Sequence, residues 1–158
     1  MKEIPTAPID RFAKIMTVVV AALILVTYSM YFAAESSDAG VWGVAIAVLL
    51  LLILPLSYML RPRLFVSPTH FEMRSILYSI KLPIREIKMV EMDQERTINI
   101  RTFGIGGVFG YFGYYNGKDL WLVTNKSKRV VLKTAKGKTY VVSPQDPLEL
   151  INEIKKYQ

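Results

Sequence analysis

Six glycines and six aromatic residues crowd the stretch TFGIGGVFGYFGYYNGKD, Thr102 to Asp119. Glycine-rich loops can bring backbone N–H groups onto a phosphate, most effectively at the start of a helix. The spacing here does not support that chemistry. A dinucleotide fingerprint beginning at Gly104 needs glycine where Phe109 stands. A phosphate loop ending at Gly117-Lys118 needs glycine at Phe112 and a hydroxyl residue at Asp119. The stretch also runs toward a strand-like segment, not a helix. What remains is Gly104, Gly107, Gly110 and Gly113 at a spacing of three. Glycine at such positions suits positive φ and close backbone approach. One reading makes the stretch an irregular crossover whose aromatics cover an open end of the fold; the other exposes some of them to a partner.

Other reactive residues form no constellation. His70 is the single histidine, and without any cysteine it has no zinc or thiol partner set. Asp93 and Glu95 flank a turn, where paired carboxylates are ordinarily solvated. No serine stands in a nucleophile elbow. The chain therefore reads as non-catalytic, with no cofactor and no metal. Charge is the stronger signal: from Arg61 onward there are 17 Lys plus Arg against 9 Asp plus Glu. Lys118, Lys126, Lys128, Arg129, Lys133, Lys136 and Lys138 form the densest group. Beside a membrane such charge favours anionic lipid, at about 1 kcal/mol per basic residue near the surface. Nucleic acid would attract it too, but no arginine-rich arm or recognition helix supports that. Lysines that keep hairpin ends soluble are the plain alternative.

The elements that must position these residues begin with two apolar runs. From Phe12 to Ala34 the only charge is Lys14, and from Val41 to Leu60 there is none. Each supplies the roughly 20 residues needed to cross about 30 Å of hydrocarbon. Positions 12–34 and 41–60, with an external loop at 35–40, therefore predict a transmembrane hairpin following a cytoplasmic tail at 1–11. A signal peptide is the competing reading of the first run, but that run exceeds the roughly 7–15 apolar residues of an h-region. Lys2, Arg11 and Lys14 flank one side, Arg61 and Arg63 the other, while the loop carries Glu35 and Asp38. The positive-inside rule then puts both termini in the cytoplasm, with the chain in the inner membrane. Trp42 and Tyr58 suit interfacial anchoring, and Pro55 predicts a bend. Ala39, Gly43 and Ala47 form a small-residue face for helix packing, within the hairpin or between copies.

After Arg63 the texture is that of short strands separated by turn chemistry. Strands are expected near 64–66, 70–74, 76–82, 87–92, 97–103, 120–124, 129–134 and 139–143, with a helical turn at PIRE. The last segment, QDPLELINEIKKYQ, has a helix start in Asp146, Pro147 and Glu149. Leu148, Ile151 and Ile154 are expected to share its apolar face. Glycine-string GIGGVFGYFG, LPIREI before a strand, and YVVSPQDP before the final helix resemble the bacterial pleckstrin homology (PH)-like domains of small membrane proteins. The resemblance covers roughly 64–157. It implies an α+β chain: a two-helix transmembrane hairpin, then residues 61–158 as a PH-like antiparallel β-barrel or sandwich closed by a carboxy-terminal helix. It also implies a binding or scaffolding module. The loop after the first strand of that domain is SPT, with no basic residue, and the closing helix lacks the tryptophan common in eukaryotic relatives.

If every strand reverses direction, the turn NKSK lies near the membrane while the glycine stretch and AKGK lie away from it. Arg61, Arg63, Lys126, Lys128 and Arg129 are then expected at a lipid surface. Tyr111, Phe112, Tyr114, Tyr115, Lys118, Lys136 and Lys138 are expected to face a protein partner or a second copy. The functional expectation is a membrane-anchored scaffold that recruits a protein. A sensor of anionic lipid surface is the alternative, and an accessory subunit of a membrane enzyme a more distant one.

Overall fold

The computed structural model describes residues 1–33, 41–93 and 99–158. Two helices come first, α1 (Arg11–Ala33) and α2 (Val41–Met59), and α2 continues through Pro55. Ahead of them lies a short strand, β1 (Lys2–Ile4). The tail expected at 1–11 is thus part of the folded body. β1 pairs antiparallel with β2 (Arg63–Val66), matching Ile4 to Leu64, and β3 (His70–Arg74) and β4 (Ser79–Pro83) complete an antiparallel sheet.

The second sheet has six strands: β5 (Ile87–Met92), β6 (Arg101–Gly106), β7 (Tyr111–Tyr115), β8 (Asp119–Val123), β9 (Val130–Thr134) and β10 (Thr139–Val142). Their order is β5-β9-β10-β8-β7-β6, and β10 runs parallel to β8. The parallel pair departs from the wholly antiparallel barrel or sandwich that the resemblance implies. The two sheets do not close into a barrel. Between them lies one core, with Leu64, Phe71 and Met73 from the first sheet and Leu122, Leu132 and Val142 from the second.

Helix α3 (Pro147–Lys155) contributes Leu150, Ile151 and Ile154 to that core. Its start is as expected: the Asp146 carboxylate accepts from the Leu148 and Glu149 N–H groups at 2.9 and 3.2 Å. Leu148 differs from expectation, being 60% exposed. The Glu149 carboxylate pairs with Lys2 at 2.9 Å, so α3 is tied to β1 and also lies against β5. A 3-10 turn at Ile84–Glu86 matches the helical turn expected at PIRE.

The second sheet is apolar on both faces, which explains the unbroken run LWLV in β8. Leu122 points into the main core, while Trp121 and Val123 point the other way, with Tyr111, Tyr115 and Val141. That outer face is covered by the start of α1, where Ala13 is fully buried. Between β1 and α1 the chain crosses the ends of β8 and β10. Ala7 N–H donates to the Ser143 carbonyl at 2.8 Å, and Thr124 Oγ1 donates to the Ala7 carbonyl at 2.6 Å. Asp10 N–H reaches the Thr124 carbonyl at 3.1 Å.

Ile4 is fully buried in the core although it precedes both helices. Ile4→Ala should therefore destabilise the domain by about 2–5 kcal/mol, as core truncations do. Thermal unfolding of the full chain in detergent, followed by tryptophan fluorescence, measures this; an unchanged midpoint would show β1 to be undocked.

Candidate functional site

The residues that matter most converge where the helices meet the domain. Asp10 is the hub. One carboxylate oxygen caps α1 by accepting the Ala13 N–H at 2.8 Å; Tyr111 Oη donates to the same oxygen at 3.3 Å. The other oxygen accepts the Lys126 N–H at 3.2 Å. Burial, followed by the Asp10 charge, raises the Tyr111 phenol well above its ordinary value, so it stays a neutral donor. An aspartate just before an apolar run is a helix-start signal, so Asp10 was findable from sequence. Its hold on Lys126, 116 positions away, was not.

The glycine stretch is a β-hairpin, β6 and β7, turning at 107–110 where Gly107 N–H meets the Gly110 carbonyl at 2.8 Å. Gly104 and Gly113 stand opposite each other at φ +117° and +135°. A Cβ on Gly113 would run into the Phe103 carbonyl oxygen and lie 2.7 Å from Gly104 Cα. Glycine is thus required for the two strands to approach. At the tip, Phe109 adopts φ +54°, a costly conformation for a bulky residue unless its surroundings hold it. They do: its N–H donates to Thr17 Oγ1 of α1 at 2.9 Å, and its ring meets Tyr58 of α2 edge-on at 5.6 Å. The stretch is a clasp on both helices.

That contact corrects the strand-parity expectation. The glycine stretch holds a strand of its own, β7, so its tip lies at the helix end of the domain, not away from it. Tyr111, Phe112 and Tyr115 are buried, with Tyr115 stacked on Trp121 at 4.3 Å. They are withdrawn from any partner surface. Tyr114 stays 46% exposed. Lys118 and Lys138 stand beside the starts of the parallel, adjacent strands β8 and β10, so they share one end of the sheet. Lys136, on the same turn as Lys138, pairs with Glu86 at 3.0 Å.

The basic residues expected at a lipid surface separate likewise. Lys126 lies at the helix end, its ammonium 4.2 Å from the Tyr111 ring centre and 5.9 Å from that of Phe12. Arg61 sits over Tyr58, and Arg63 opens β2 with its side chain exposed. Lys128 donates to the Gln145 carbonyl at 2.6 Å. Arg129 is not available to lipid: Asp93 holds it at 3.1 Å and it lies over Trp121. Of the small-residue face, Ala39 is outside the described residues, and Gly43 and Ala47 are described only as helix backbone. The loop at 35–40, with Glu35 and Asp38, and Glu95 also lie outside them. His70 closes a turn, its Nδ1 within 3.0 Å of Ser67 Oγ and 2.9 Å of Thr69 Oγ1. Among the described residues, no group of three or more His, Cys, Asp or Glu is arranged to hold a metal.

One helix, over Arg11–Met30, is long and apolar enough to cross a membrane; the described part of α2 gives a shorter apolar helix, Val48–Met59. A family model for a bacterial PH domain matches residues 63–158, leaving out β1. No curated protein and no solved structure matches the chain.

Gly113→Ala should cost at least about 3 kcal/mol, combining an unfavourable φ with an overpacked strand pair. Gly117→Ala, with nothing within 4 Å of its would-be Cβ, should cost about 1 kcal/mol for φ alone. Parallel melting curves compare them; equal losses would remove close strand approach as the cause.

Proposed function

This chain belongs to the bacterial PH domain family, and on that premise we propose that it is a membrane-anchored, non-catalytic binding and scaffolding module displayed to the cytoplasm. The observation that carries the proposal is the split of the folded body around the helices: β1 and residues 5–10 on one side of them, β2 to α3 on the other. Because both parts belong to one core, the helices must leave the domain and return to it. Two crossings with both termini on one side satisfy that geometry. α1 carries Phe12, Ile15, Val18, Leu23, Leu25 and Met30 on exposed positions, an apolar exterior that hydrocarbon would cover. The basic flanks favour the cytoplasmic side.

Scaffolding is supported by the clasp. A domain gripped through Asp10, Thr17 and Tyr58 presents its far end in one orientation. At that end, exposed Tyr114 is accompanied by Lys118, Lys136 and Lys138, a mixed aromatic and basic surface suited to a protein partner carrying acidic groups.

A single cysteine placed at Ser37 should react with an impermeant thiol reagent in intact cells, whereas one at Gln158 or Lys2 should react only after lysis. Labelling of Lys2→Cys and Gln158→Cys on opposite sides would contradict both the topology and the split domain.

A further inference from the structure

Beside the clasp, a cavity of about 590 Å³ opens between the end of α2, the amino-terminal segment and the turn joining β3 to β4. Three arginines line it: Arg61 and Arg63 from the chain leaving α2, and Arg74 from the end of β3. Against them stands one lining carboxylate, Glu3. Among the described residues none of the three arginines forms a salt bridge. Two are held by aromatic faces instead, Arg61 over Tyr58 at 5.5 Å and Arg74 over Phe65 at 5.4 Å. Aromatic contact orients a guanidinium without neutralising it.

The apolar half of the site lies on the adjoining turn. Ile76 and Leu77 are 73% and 49% exposed. The turn is tightened by Ser75 Oγ, which accepts the Leu77 and Tyr78 N–H groups at 3.1 and 3.2 Å. Tyr78 Oη donates to the Leu60 carbonyl at 3.0 Å, setting the turn level with the end of α2. Exposed aliphatic side chains beside unpaired arginines, where an apolar helix enters a polar domain, match the two halves of a phospholipid.

We infer that this juxtamembrane cavity binds a phosphate ester, supplied by the headgroup of an anionic phospholipid whose acyl chains run beside Ile76, Leu77 and α2. Arginine forks donate to phosphate oxygens in bidentate fashion. The cavity is distinct from the SPT loop after β2 and from Lys126, which lies against Tyr111. It gives the anchored module a lipid preference, and so rests on the membrane reading above.

The test uses the full chain in neutral detergent micelles containing phosphatidylglycerol or phosphatidylcholine, with retained lipid read by native mass spectrometry. The native chain should retain one phosphatidylglycerol in preference to phosphatidylcholine. Removing each arginine should weaken retention about fivefold, and Arg61→Gln, Arg63→Gln and Arg74→Gln together on the order of a hundredfold. Arg74→Gln alone, at an exposed strand end, keeps the test readable if the triple variant misfolds. Lys136→Gln with Lys138→Gln, at the opposite end, should change nothing. Equal retention of both lipids, full retention by the arginine variants, or equal loss in the lysine control would overturn the inference. Displacement of the lipid by an equal concentration of glycerol 3-phosphate would assign the cavity to a soluble phosphate ester and overturn the lipid assignment. Retention in micelles does not depend on which side of a membrane the domain faces, so this result and the labelling result fail independently.

Discussion

Ala7 lies fully buried between the ends of β8 and β10, its N–H on Ser143 and its carbonyl on Thr124. Buried backbone groups must be paired, and here the pairing joins a segment before the helices to strands far beyond them. Withdrawing that segment would take the Ala7 N–H from the Ser143 carbonyl and the Ala7 carbonyl from the Thr124 hydroxyl, leaving that hydroxyl only its 3.0 Å contact with Ser143 Oγ. It would remove Ile4 from the core and expose the edge of β2 to pairing with other chains. The cap on α1 would lose its position as well, because Asp10 follows three residues later. The helical pair is in this sense an insertion into a domain whose two parts cannot fold separately to the same core.

That constraint shapes what the domain can do. A PH-like body joined to its helices by one linker could sample many orientations. Here it is joined to them at the start of α1 and the end of α2, and the hairpin tip rests on both. Phe109 holds a left-handed backbone because Thr17 and Tyr58 occupy its N–H and its ring. The same close approach places the arginine cavity at the helix end and Tyr114 with its lysines at the opposite end. The arginine cavity, proposed for lipid, and the Tyr114 surface, proposed for a partner, are thereby separated along the strands.

Much of this body was legible in the sequence. β3 and β5 carry the bounds their apolar and turn residues suggest, and Asp146-Pro147 announces α3. Three features were not legible, each for a physical reason. β1 is three residues long with one apolar side chain, so only docking against β2 makes it a strand. β7 is hidden because Gly110 and Gly113 read as turn residues, whereas Gly113 serves close strand approach. The parallel pairing of β8 with β10 depends on contacts remote in sequence. Missing β7 reversed the inferred direction of the glycine stretch. The basic turn at 126–128 came out at the helix end all the same, since β7 and β8 bring it beside the hairpin tip. Leu148 shows the limit of helical spacing alone: α3 buries Leu150 with Ile151 and Ile154, leaving Leu148 outside.

Hydrogen exchange of the full chain in detergent tests the split domain most directly. If residues 2–10 complete the fold, the Ala7 and Asp10 amides, bonded to the Ser143 and Thr124 carbonyls, should exchange as slowly as those of β2 and β10 and open only with them. Exchange of the Ala7 and Asp10 amides at the rate of a free tail, while β2 and β10 stay protected, would contradict the account.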